Sequence, residues 1–177
     1  PLKMHDTDFV VAKSKVDRFV TEIAVKDGKR VTVDDPAHSA FVRDRDLPSG
    51  GGGLVSTAHD YIRFNTMLLN EGVLDGVRVV KAETVRTAHS NLMEPGVTFF
   101  GKNGYGAGVV VILPGGERPG EEPAGSSWWF GIAGTQEWVD PVNKFSVVCM
   151  LNEYPTTDPV QREVRIAAYK DLAAIKA

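Results

Sequence analysis

Residues 128–141, Trp-Trp-Phe-Gly-Ile-Ala-Gly-Thr-Gln-Glu-Trp-Val-Asp-Pro, constrain the fold more than any other stretch of the chain. They read as two strands joined by a bend of small residues, followed by an Asp-Pro turn. Gly131, Ala133 and Gly134 keep the backbone free of bulk, so another group can approach the main chain closely. Aromatic rings at Trp128, Trp129, Phe130 and Trp138 frame that opening.

The flanking sequence predicts how this pair is embedded. Thr21–Val25 and Arg30–Val33 alternate around Asp27-Gly28, a strong hairpin signal, and Asp75-Gly76 gives a second one between Val73-Leu74 and Val77–Val80. The clearest helix follows the four glycines at 50–53. Thr57 is its N-cap, Asp60 completes a capping box, and Gly72 stops it. Its apolar face is drawn from Tyr61, Ile62, Phe64, Met67, Leu68 and Leu69. A short helix over about 82–90 comes next. From Tyr105 the pattern turns to strands: a continuous apolar run at 108–113, then about 126–132, 134–140 and 145–151, with a Pro/Gly/Glu-rich loop at 114–124. Asp158 is a candidate cap for a final helix over 160–175, with Val164, Ile166, Ala167, Leu172 and Ile175 on its apolar side. The fold class is therefore α+β: an antiparallel sheet with a C-terminal helix over 101–177, preceded by a partial helical and irregular region over 1–100.

Composition excludes several functions. Twenty basic and 23 acidic residues give a net charge of −3, which offers no basic footprint for nucleic acid and no polybasic membrane signal. No apolar run approaches the roughly 18 residues of a membrane span. A single cysteine, Cys149, excludes an internal disulfide, and its apolar setting predicts a buried, inert thiol. The four histidines lack metal-ligand spacing, and the glycine-rich segments lack the endings that bind nucleotide phosphates. No cofactor is expected. The adjacent pairs Asp34-Asp35 and Glu121-Glu122, and the run at 43–46, read as solvated loop charges. The chain begins at Pro1 with no visible signal peptide, so its compartment is not readable; it looks like a processed or truncated product.

Nucleophile motifs are absent. There is no Gly-x-Ser-x-Gly, no Ser-x-x-Lys and no Tyr-x-Asn. A serine with nothing to deprotonate it is a poor nucleophile. The chain alone contains no readable catalytic apparatus.

Five segments in order nevertheless resemble the C-terminal half of the serine β-lactamase-like hydrolases, nearest the class C and family VIII esterase branch. Residues 1–9 resemble Pro-Leu-Gly-Met-x-Asp-Thr-x-Phe, with Lys3 for Gly; 49–69 resemble the glycine-rich loop and its helix; 74–80 resemble the hairpin that follows. Tyr105-Gly106-Ala107-Gly108 resembles Tyr-Gly-x-Gly, and 129–141 resemble Trp-Gly-Gly-x-x-Gly-Thr-x-x-Trp-Val-Asp-Pro, with Phe130 for the first Gly. The resemblance implies that a nucleophilic Ser, its Lys and a Tyr lie upstream, in an N-terminal segment that is this chain's partner. It implies that residues 129–131 take the place of the family's Lys-Thr-Gly, and that the second oxyanion donor is the N–H of Ile132, or of Gly131 one residue away. Trp128, Trp129 and Phe130 would then form an apolar wall for small-molecule esters or amides. That favours carboxylesterase-like acyl transfer over β-lactamase activity. The alternative expectation is a non-catalytic binding or scaffold protein with the same fold.

Overall fold

The computed structural model describes residues 1–43, 48–156 and 159–176. Most of the charged run at 43–46, and Asp158, lie outside the described residues.

Both Asp-Gly hairpins form. β1 (Glu22–Lys26) pairs antiparallel with β2 (Lys29–Asp34), and β3 (Val73–Leu74) with β4 (Val77–Arg78). Asp27 and Gly28 have φ of 51° and 72°, Asp75 and Gly76 51° and 76°. Two consecutive positive φ values give the turn whose twist matches the strands, and Asp tolerates the left-handed region better than most residues. The first hairpin is pinned to the distant segment at 152–154. The Ile23 N–H donates to the Asn152 carbonyl at 2.8 Å, and the Ile23 carbonyl accepts from the Tyr154 N–H at 2.6 Å.

α1 (Ala58–Leu69) starts as expected, with the Thr57 Oγ1 accepting from the Asp60 N–H at 3.2 Å. The reciprocal half of the capping box is replaced. Asp60 is buried, and its Oδ2 accepts from the Asp6 N–H at 2.6 Å and the Thr7 hydroxyl at 3.0 Å, tying the N-terminal segment to the helix start. The C-terminus is closed by Glu71 and Gly72, two consecutive residues of positive φ. Glu71 has φ of 50°, with the Glu71 N–H bonded to the Leu68 carbonyl at 2.9 Å and the Gly72 N–H to the Met67 carbonyl at 2.8 Å. Gly72 is needed on two counts: its φ is 90°, and a Cβ there would collide with the Val80 carbonyl.

α2 (Ala82–Ala88) leads into one sheet of five consecutive antiparallel strands: β5 (Gly104–Tyr105), β6 (Val110–Val111), β7 (Ser127–Phe130), β8 (Gln136–Asp140) and β9 (Phe145–Cys149). The apolar run at 108–113 predicts one strand along its length, but only Val110–Val111 is strand. Gly108 has φ of 89°, and beyond Ile112 the chain leaves the ladder through the turn closed by the Gly116 N–H on the Leu113 carbonyl at 2.8 Å.

α3 (Val160–Lys176) covers one sheet face. Trp138, fully buried, packs there with Cys149 and Tyr169, and Trp128, Val147 and Leu172 close around them. The helix's inner side is only partly the one its apolar residues suggested: Leu172 packs on the core as expected. Arg165 and Tyr169 face inward, while Val164 and Ile175 are exposed. The reason lies in Glu121 and Glu122, which are buried rather than solvated. Arg165 pairs with both, at 2.9 Å to Glu121 and 3.1 Å to Glu122, and Arg162 holds Glu121 at 2.9 Å. Two buried carboxylates require cations, and the helix turns Arg165 inward to supply one while Arg162 reaches Glu121 from the exposed side. Tyr169 adds a bond from its hydroxyl to the buried Asp140 at 3.0 Å.

Candidate functional site

The bend between β7 and β8 is a three-residue hairpin loop, Ile132-Ala133-Gly134. The Gly134 N–H donates to the Gly131 carbonyl at 3.0 Å, and Gly134 sits at φ 86°. This is a tight turn followed by a left-handed residue, a standard way to close such a pair. Space as well as φ fixes Gly134: a Cβ would lie 2.8 Å from the Leu151 Cβ.

The two expected oxyanion donors part company here. The Gly131 N–H is committed inside the hairpin, to the Thr135 carbonyl at 2.8 Å. Ile132 is the first residue of the turn and is exposed, and its N–H has no acceptor among the described residues. Its carbonyl is held from behind by the Thr156 N–H at 2.9 Å. Within β7, alternation sends the N–H groups of even-numbered residues away from β8, and β6 covers that edge only at Ser127 and Trp128. The edge beyond Trp128 is thus free of a strand.

The three aromatic residues expected to form one wall are divided between two sheet faces, because successive strand side chains alternate. Trp128 and Phe130 lie on the α3 side, where the Arg165 guanidinium sits 5.9 Å from the Trp128 ring. Trp129 lies on the α1 side, near-parallel to Phe99 at 6.4 Å and edge-on to Tyr105 at 5.4 Å. A turn at 99–103 bridges the edge between them: Phe99 serves Trp129, while Phe100 meets Trp128 at 5.6 Å and Phe130 at 6.0 Å. Six rings therefore wrap one strand end. Sequence reasoning missed Phe99, Phe100 and Tyr105. The adjacent rings before Gly101-Lys102-Asn103-Gly104 were the available signal.

On the α1 face, Glu137 stands opposite Trp129 in register. Burial pushes its carboxyl up to about 8, against weaker opposing effects from the Asn65 amide and the Trp129 backbone. Asn65, on the inner side of α1, is fully buried. Burial thus favours the neutral form of this carboxyl beneath the strand. His89 reaches the same sheet from α2, its Nδ1 2.6 Å from the Ser127 hydroxyl, and burial lowers its pKa. Among the described residues no cluster of His, Cys, Asp or Glu could hold a metal ion, and no helix is long and apolar enough to cross a membrane.

Comparison with known proteins places this geometry. Protein Rv1367c of Mycobacterium tuberculosis is 30% identical over 189 residues, covering 99% of this chain and 46% of its own length. The chain thus spans about half the length of the curated relatives it matches. Among solved structures, unliganded simvastatin synthase (LovD) from Aspergillus terreus superposes with a TM-score of 0.79 at 18% identity, over 97% of this chain and 48% of that one. EstCE1, described as a hydrolase with promiscuous acyltransferase activity, gives 0.78 at 21% identity over 96% and 48%. At these identities the likeness is one of fold. The family model named Beta-lactamase matches residues 1–170, nearly the whole chain. The chain belongs to the Beta-lactamase family, a family of serine-hydrolase type.

Proposed function

We propose that this chain is the oxyanion-strand portion of a serine hydrolase that transfers acyl groups from small-molecule esters or amides, with carboxylesterase-like chemistry preferred. The observation that carries the reading is the unpartnered Ile132 N–H at the end of β7. A donor fixed there stabilises the negative oxygen of a tetrahedral intermediate, an effect worth roughly 3–4 kcal/mol for a well-placed group. The residues beside it favour esters. Trp129 and Phe130 occupy the places of the family's Lys and Thr, so no cation is offered to a substrate carboxylate at these positions. Trp129, with Phe99 and Tyr105 packed on the same face, instead supplies apolar surface for acyl or alkyl groups. The nucleophilic Ser, its Lys and the Tyr come, in this reading, from an N-terminal partner segment. The acyltransferase activity ascribed to EstCE1 is chemistry of the same class.

Ile132→Pro tests it. Proline suits the first central position of such a turn and removes the N–H, while Ile132→Ala accounts for the lost side chain. In the complete gene product, turnover of short-chain nitrophenyl esters should fall about a hundredfold or more, with the melting temperature nearly unchanged, while Ile132→Ala keeps most activity. Equal turnover in Ile132→Pro and Ile132→Ala would remove the assignment. A complete gene product inert towards esters, amides and a chromogenic cephalosporin would favour a non-catalytic binding protein.

A further inference from the structure

The turn that carries the Ile132 N–H is held from outside its own hairpin. Within the hairpin, the Gly134 N–H draws the Gly131 carbonyl across the turn at 3.0 Å. Carbonyl and N–H oppose each other across a trans peptide, so the Ile132 N–H is aimed out of the turn. The next peptide is gripped by a different segment: the Ile132 carbonyl accepts from the Thr156 N–H at 2.9 Å. Two successive peptides are thus fixed, one on each side of the Ile132 Cα. Ile132 itself is 57% exposed, so packing of its side chain contributes little to this restraint.

Thr156 belongs to the chain that leaves β9 and returns towards α3. Residues of this segment pass so close to the turn that a Cβ on Gly134 would lie 2.8 Å from the Leu151 Cβ and 3.2 Å from the Thr156 Cβ. At its other end the segment is tied to β1. Ile23 donates its N–H to the Asn152 carbonyl at 2.8 Å and accepts from the Tyr154 N–H at 2.6 Å, a parallel bridge to Glu153. The Asn152 side-chain amide donates to the Thr21 carbonyl at 2.7 Å. The β1–β2 hairpin is anchored in turn: the hydroxyl of the fully buried Ser39 donates to the Asp34 carboxylate at 2.5 Å. We propose that residues 152–156 are a strut through which the β1–β2 hairpin fixes the direction of the Ile132 N–H, with Thr156 as the positioning residue at its head and Asn152 at its foot. The consequence for turnover rests on the acyl-transfer reading of that N–H. A donor that meets the oxygen fully only in the tetrahedral intermediate acts on kcat, so loosening the strut lowers kcat and leaves KM unchanged.

Three variants of the complete gene product test this. Thr156→Pro deletes the N–H at the head of the strut, Thr156→Ala keeps it, and Asn152→Ala cuts the side-chain tie at the foot. Hydrogen exchange reads the mechanical link without turnover: Asn152→Ala should speed exchange of the Thr156 amide about tenfold or more while amides of β8 keep their protection. With short-chain nitrophenyl esters, Thr156→Pro should lower kcat about tenfold or more and Asn152→Ala about threefold, at unchanged KM, with Thr156→Ala well above Thr156→Pro. In the Ile132→Pro background the donor is already gone, so Asn152→Ala should lower kcat no further. Asn152→Ala carries the test on its own if Thr156→Pro does not fold. A Thr156 amide that exchanges in Asn152→Ala as in the wild type, an equal kcat loss from Asn152→Ala in both backgrounds, or an effect on KM instead of kcat would overturn the proposal. A wild-type protein inert towards esters whose Thr156 amide loosens in Asn152→Ala would refute acyl transfer alone and uphold the strut.

Discussion

Glu137 shows how one side chain can set the pH response of the molecule. Its folded-state pKa, about 8, stands above the ordinary value of 4.5 because the carboxyl is buried. Below about 4.5 both folded and unfolded forms are protonated, and burial of the neutral acid carries no electrostatic cost. As pH rises from there towards 8, the unfolded chain releases the proton while the folded one retains it, so stability falls; above 8 the loss is complete. Every tenfold difference in proton affinity between the two forms is worth about 1.4 kcal/mol, which makes the total a few kcal/mol. Urea unfolding at intervals between pH 5 and 8 should show this decline, and Glu137→Gln should flatten it. His89 works in the opposite direction: its lowered pKa makes its contribution fade as pH drops through its folded value. Neither effect was legible in the sequence. Glu137 sits in a strand pattern that predicts pairing but not depth, and nothing in the sequence marks its neighbour Asn65 as buried. Cys149, by contrast, is buried as its apolar run indicated, and burial raises its thiol pKa.

Among the elements, the Asp-Gly hairpins were readable because their turns have a local cause: two residues must adopt positive φ, and the sequence supplies the pair that does so most cheaply. The face of α3 was only partly readable, because hydrophobic periodicity is silent about buried ions. Val164 and Ile175 suggested one inner side; the pairing of Arg165 with Glu121 and Glu122 imposes another. Removing the shared cation should therefore cost more than removing an apolar contact. Arg165→Met leaves Glu122 buried without its arginine, and a loss of about 3–5 kcal/mol is expected. Tyr169→Phe deletes one bond to Asp140, whose carboxylate keeps both bonds from Asn143, so about 1–2 kcal/mol is expected. Chemical denaturation of the two variants gives the comparison, and a larger loss in Tyr169→Phe would contradict the dominance of the ion cluster. The candidate site was legible only as a segment. The position of β7 and its turn followed from small residues flanked by rings, but the division of those rings between two faces depends on strand register and on the remote turn at 99–103.

At the scale of the whole molecule, the order of segments was enough to indicate the family and the α+β class, since five weak motifs in sequence constrain each other. What surrounds them was not. The sheet leaves β9 at one end of the strand order, and Val142, Val164 and Ile175 are exposed, Ile175 at 82%. An unpaired edge beside apolar surface invites association. Light scattering on the isolated 177-residue chain should show self-association, or tight binding of an N-terminal partner segment added in trans. The isolated chain should also fail to hydrolyse nitrophenyl esters until that segment is restored. A cooperative, active monomer would refute both expectations. The sheet carries one more implication. All five strands follow one another along residues 104–149, each paired with its sequence neighbour. Such local contacts close small loops and assemble quickly, whereas the clasp between Ile23 and residues 152–154 must wait for ends more than a hundred residues apart to meet. In refolding followed by pulsed hydrogen exchange, amides of β7 and β8 should gain protection early and that of Ile23 late, so the chain builds the centre of its sheet before it ties down its own beginning.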